Sequence, residues 1–184
     1  MKRLIFLFLI PLFLLACGPS DAAFVPYSSP NYAITLQMPD DWAIIDNEDS
    51  ITIASEEGAL AAKSVTNGAR VNITVAPSLF TGISSTSEFV ETAVSSFLEQ
   101  EGSEEIQAIE SVTINGQTAV QTVLRAQDTQ GTEIILRYVV IQNLAEGQTA
   151  VVAAVHDASQ NNTYGQIIAD IVNSIQLGEA IPTP

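Results

Sequence analysis

Glu133-Ile134-Ile135-Leu136-Arg137-Tyr138-Val139-Val140-Ile141-Gln142 is apolar at odd and even positions alike, with one cation in its middle. Successive side chains of a strand point to opposite faces, so a half-buried strand alternates and a strand apolar at both parities needs cover on both faces. The segment is therefore expected to be a central strand with one layer above it and another below. Its neighbours supply the rest of the sheet. Upstream, Ile106 to Ile114 and Gln117 to Ala126 flank Asn115-Gly116, the dipeptide favoured by a two-residue hairpin turn. Asp128-Thr129-Gln130-Gly131 then turns the chain into the quoted strand, and Glu146-Gly147 turns it on into Thr149 to His156. Together they read as an antiparallel meander.

Two amphipathic helices can supply the cover. Phe89, Val90, Ala93, Val94, Phe97 and Leu98 form one apolar stripe at 3.6 residues per turn, which predicts a helix over 86–101. Ser85 and Glu88 fit a capping box at its start, and Gly102 offers a stop. Tyr164, Ile167, Ile168, Ile171, Val172 and Ile175 recur at three and four residues and predict a closing helix before Gly178.

The amino-terminal part adds strands. Tyr32, Ile34, Leu36 and Met38 alternate with small or polar residues, Trp42 to Ile45 and Ile51 to Ala54 flank an acidic turn, and Val71, Ile73 and Val75 alternate until Pro77. Glu56 to Gly68 is small, polar and without a period.

Taken in order, this pattern resembles the PsbP-like domains, the group that includes the extrinsic PsbP subunit of photosystem II. The likeness lies in Tyr32-Ala-Ile-Thr-Leu-Gln-Met-Pro-Asp-Asp-Trp42, a strand running through Pro into Trp, and in a last helix carrying Ile171-Val-Asn-Ser-Ile175. It spans roughly residues 31 to 177 and is one of pattern rather than of a specific motif. The resemblance implies an α+β fold, an antiparallel sheet of about six to eight strands sandwiched between helices in an α/β/α arrangement. It implies no catalysis, and since one fold hosts unrelated tasks, the photosystem role does not transfer with it.

Ahead of the domain, Lys2 and Arg3 precede an apolar run from Leu4 to Leu15, and Leu14-Leu15-Ala16-Cys17 has the form of a lipobox around the chain's one cysteine. As a helix that run is about 18 Å long, short of a ~30 Å hydrocarbon core, and Pro11 interrupts it. Residues 1–16 thus read as a lipoprotein signal peptide. Cys17 would carry the lipid, residues 17–30 would be a flexible tether, 31–178 one domain, and 179–184 a tail. The competing reading is an ordinary secretory signal cut near Ala22 or Ala23. On the lipoprotein reading the chain is held at a cell membrane, facing away from the cytoplasm.

Charge narrows the partners. The chain has a net charge of −15, and without the signal peptide only Lys63, Arg70, Arg125 and Arg137 stand against 21 acidic residues. Four scattered cations cannot make a face for nucleic acid. With its single cysteine acylated, the chain would have neither a disulfide nor a thiolate metal site.

Few residues are candidates for chemistry. His156 is the sole histidine and precedes Asp157, yet neighbours on a strand face opposite ways, so it reads as a strand-end residue at the surface. Asp46, Glu48 and Asp49 could offer oxygens to calcium, although no glycine marks a sharp turn and no distal glutamate falls in register, and a solvated acidic surface is the plainer reading. Arg137, inside the most apolar strand, must escape to solvent, pair with a carboxylate, or line a groove that receives an anionic group. Trp42 and Tyr138 read as core. The expected function is a non-catalytic binding or accessory module for an unidentified protein complex or surface component. The alternative is a lipoprotein that binds a small ligand or calcium. No metal ligand set or other cofactor is expected, and a hydrolase would depend wholly on His156.

Overall fold

The computed structural model describes residues 23–61, 64–77 and 83–178. Cys17 and the whole lipobox lie outside the described residues. In chain order the elements are β1 Phe24–Ser28, β2 Ile34–Pro39, β3 Ala43–Asp46, β4 Ile51–Ala54, β5 Ala69–Pro77, α1 Ile83–Leu98, β6 Glu104–Ile114, β7 Gln117–Gln127, β8 Glu133–Asn143, β9 Gln148–Asp157, α2 Asn161–Ser174 and β10 Gln176–Leu177. Seven strands form one antiparallel sheet in the order β3-β4-β5-β9-β8-β7-β6, and β1-β2-β10 form a second, three-stranded antiparallel sheet.

The meander is as the turn chemistry requires. Asn115 and Gly116 both have positive φ, 47° and 76°, which gives the hairpin the twist of its strands. β8 lies inside the sheet between β7 and β9, while β9 is the middle strand. The even positions of β8 face α1: Leu136 and Val140 pack with Leu124, Val120, Val90 and Val94, all buried. Its odd positions Val139 and Ile141 pack on the other face with Ile168, Ile171 and Val172 of α2 and with Ile34 and Leu36 of β2. One strand thus meets both covering layers, and burying each Val, Leu or Ile contributes about 1.5–3 kcal/mol. Trp42 belongs to the α2 layer, where it meets Tyr164 edge to face with ring centroids 6.0 Å apart.

Two local expectations are corrected. Residues 24–28, read as part of the tether, form β1 and pair with β2 from Phe24↔Pro39 to Ser28↔Thr35. This edge strand accommodates Pro26 and is held by backbone pairing rather than by an alternating apolar face, so periodicity does not reveal it. The helix at Ile83–Leu98 starts earlier than the capping box implies, which places Ser85 inside the first turn rather than at the cap.

The chain after α2 is fixed by amides. Asn115 Nδ2 donates to the carbonyls of Asn173 and Ile175, and the side chains of Gln117 and Asn143 donate to the Leu177 carbonyl. Leu177 and Ile34 then pair in the small sheet. These bonds set the position of α2 over the large sheet.

Candidate functional site

α2 does not cover all of its face of the sheet. The strand register places Val123 of β7, Arg137 of β8 and Ala154 of β9 in one row, and Arg125, Ile135 and His156 in the next. All of these are on the α2 side, beyond the apolar contacts of Val139 and Ile141. Here a groove of about 280 Å³ opens between the sheet and the first turns of α2, lined among others by Arg137, His156, Asn161, Gly165, Ile106 and Ile168.

Arg137 is half-buried, and burial lowers its pKa from the ordinary arginine value without making it neutral. Its Nη1 donates to Gln121 Oε1 at 3.1 Å. Among the described residues no carboxylate pairs with it; the ion pair seen there is Arg125–Glu133 at 3.6 Å, with both side chains well exposed. Gln121 in turn donates to Glu110 Oε1 at 3.1 Å, so this carboxylate is linked to Arg137 only through an amide.

His156 is 3% exposed, which corrects the surface reading. The fold covers it because the start of α2 turns back over the end of β9, and its Nε2 lies 3.0 Å from Asn161 Oδ1. Its Nδ1 is buried without a hydrogen-bond partner among the described residues. Burial lowers the imidazole pKa most, the charge of Arg137 lowers it further, and the Asn161 bond and the Asp157 carboxylate oppose them. The neutral form is favoured. Asp157 faces the other way and is occupied, accepting from the Asn67 and Ser159 amides and the Ser159 hydroxyl at 2.9, 2.9 and 2.6 Å. The two adjacent residues form no acid–base pair.

Gly165 is what leaves room. A Cβ there would sit 2.7 Å from Asn161 Oδ1, so this glycine, inside a helix where it costs about 1 kcal/mol against alanine, lets the Asn161 side chain lie along the helix and reach His156. Gly165 and Gln121 are not among the residues that the sequence singles out. Only Gly165 carried a signal, as a glycine interrupting an apolar helical stripe.

The acidic turn lies elsewhere, between β3 at the sheet edge and β4. Asp46 accepts from the Tyr27 hydroxyl at 2.7 Å and from Asn31 Nδ2 at 2.9 Å. Burial and then the Asp46 carboxylate push the Tyr27 hydroxyl up to about 12. Asn47 Oδ1 accepts from the amides of Asp49 and Ser50, an Asx turn. Asp46, Glu48 and Asp49 do not converge, and among the described residues no three of His, Cys, Asp and Glu come together in a way that could hold a metal. In this turn the Asp46 carboxylate and the Asn47 amide oxygen are directed at protein donors. Tyr138 is half-buried against the α1 layer.

A larger cavity of about 500 Å³ lies on the α1 side, between Phe97, Val65, Ile134 and Val155, with Arg70 and Glu101 also lining it. Its lining includes Ser64, the first described residue after a gap in the described chain.

This sheet, covered by one helix on each side, is a PsbP-like fold. It is similar to the cyanobacterial PsbP (CyanoP) of Synechocystis sp. PCC 6803, with a TM-score of 0.57 at 14% identity over 90% of this chain and 99% of that one. It is similar also to the Saccharomyces cerevisiae Ran-binding protein Mog1p (0.57, 11%, covering 86% and 97%) and to LpqN, involved in cell envelope biogenesis of Mycobacterium tuberculosis (0.56, 14%, covering 87% and 91%). No family model matches the chain, and no curated protein matches its sequence. At these identities the likeness is one of fold. No described helix is long and apolar enough to cross a membrane.

Proposed function

We propose that this chain is a lipid-anchored lipoprotein outside the cytoplasm, whose PsbP-like domain is a non-catalytic accessory module for a protein complex or surface component. The observation that carries the reading is the position of Cys17, the one cysteine, where a basic start and an apolar run too short to span a bilayer end in a small residue. A single acyl chain holds a protein only marginally, at about 0.8 kcal/mol per buried methylene, whereas the two or more chains of a mature lipoprotein hold it stably. LpqN, of similar fold, is involved in envelope biogenesis, which agrees with a place at the cell envelope. The absence of catalysis is supported by His156, the one side chain whose ordinary pKa lies near neutrality, which faces an amide and neither a carboxylate nor a hydroxyl nucleophile.

The intact mass of the membrane-fraction protein, wild type beside Cys17→Ser, tests the anchor. A chain beginning at Cys17 with added acyl mass, lost in the variant, is the expected result, and a lipid-free chain beginning near Ala23 would overturn it. Crosslinking of the lipidated protein at the membrane should then enrich a defined partner over Cys17→Ser. The groove beside Arg137 favours a second reading, in which the tethered domain captures a small ligand.

A further inference from the structure

We propose that the groove at Arg137 is a binding site for a carboxylate carried on a small apolar body. This deepens the ligand-capture reading and rests on it. The guanidinium is half-buried and has no ion-pair partner among the described residues, yet an isolated desolvated charge is costly unless something compensates it. The Gln121 amide oxygen engages Nη1, which leaves the rest of the planar fork for a second acceptor. A carboxylate is the group that fits such a fork with two parallel bonds.

The surroundings select further. Ile106, Val123, Ile135 and Ile168 supply the apolar part of a lining that also carries Gln107 and Gln166, and Ile106 stands at 48% exposure, an aliphatic side chain left open to solvent. That suits a branched or aromatic hydrocarbon attached to the acid. Arg125 lies diagonally across the β7–β8 ladder on the same face, so two of the four cations outside the signal segment belong to one side of one sheet. Arg125 is held by exposed Glu133, which leaves one uncompensated positive charge and favours a monoanion. A dianionic phosphate would bring a second charge into a chain of net −15. The mid-helix glycine at 165 has a role here: it keeps the side of α2 that borders the groove free of a Cβ.

The test uses the intact ¹⁵N-labelled chain in detergent, titrated with 3-methylbutanoate, then with the uncharged 3-methylbutanol, then with inorganic phosphate. Expected are saturable shifts of the Arg137 Nε–H and of the Gly165 and His156 amides with the acid, weaker binding of phosphate, and none of the alcohol. Arg137→Gln should weaken the acid roughly tenfold or more. Ile106→Glu, a change at an exposed position that does not endanger folding, should weaken it as well. A leucine-terminated peptide distinguishes the sources. Tighter binding with its carboxylate free than amidated supports a polypeptide C-terminus, and tighter binding of 3-methylbutanoate than of either peptide supports a free acid. The proposal is overturned by no saturable shift, by equal affinity in Arg137→Gln, by equal binding of the alcohol, or by tighter binding of phosphate. A failed titration leaves the crosslinking result intact, and a failed crosslink leaves the titration intact, so the two readings fall separately.

Discussion

The two faces of β8 carry the same kind of sequence and end in different states. Toward α1, Leu136 and Val140 are sealed against Val90 and Val94. Toward α2, Val139 and Ile141 are sealed in the same way, but at Arg137 the cover stops and a glycine stands where the helix could have closed it. The difference teaches that the layers around Leu136 and Val140 on one face and Val139 and Ile141 on the other are built for stability, while the row at Arg137 gives up apolar cover for an accessible cation.

The widest separation should come from truncation. Leu124→Ala, on the sealed face, should cost about 3 kcal/mol in chemical denaturation, because it removes buried contacts and leaves a cavity. Ile106→Ala, on the open face, should change stability by less than about 0.5 kcal/mol. Equal losses would break the comparison.

The adjacent residues His156 and Asp157 sharpen it by pH. Asp157 is held below the usual carboxylate range, first by the Asn67 amide and then by Ser159, so its contribution is present above that range and is lost as pH falls through its folded value. Asp157→Ala should cost about 1–3 kcal/mol near neutrality and flatten the acid limb of stability. His156 is also lowered, chiefly by burial, but as a base: the unfolded chain takes up its proton first, so stability falls as pH drops through the ordinary histidine value near 6.5 and levels off below the folded value. His156→Gln should remove that step while leaving the more acidic one, as read by urea midpoints across pH.

Gly165→Ala has the smallest expected effect. The gain in helix propensity should be offset by displacement of the Asn161 amide, leaving stability within about 1 kcal/mol of wild type. Because the Asn161 bond raises the His156 pKa, losing it should move the imidazole titration to lower pH, as followed by NMR.

How much of this was legible follows from where each cause lies. The Asn115-Gly116 turn, the doubly apolar β8 and both helical stripes are written in neighbouring residues, and the α/β/α arrangement could be read from them. β1 could not be, since an edge strand containing Pro26 pairs through its backbone and shows no apolar alternation. The burial of His156 was also hidden, because it depends on α2 folding back over the end of β9. Arg137 stood out in the sequence as a cation needing an explanation, but its partner, Gln121, lies on the neighbouring strand with nothing local to mark it. In the acidic turn the sequence showed carboxylates close together, but not that Tyr27 and Asn31 donate to Asp46, because those contacts come from β1 and the segment after it.

The central claim is that Arg137 is kept for what it can receive rather than for what it holds together. Replacing it with a neutral side chain of similar length, Arg137→Met, and measuring the unfolding free energy by urea denaturation tests this most directly. The account predicts a variant within about 1 kcal/mol of wild type or more stable, because a desolvated charge without a carboxylate is removed. A loss of about 3 kcal/mol or more, the cost of breaking a buried ion pair, would contradict it.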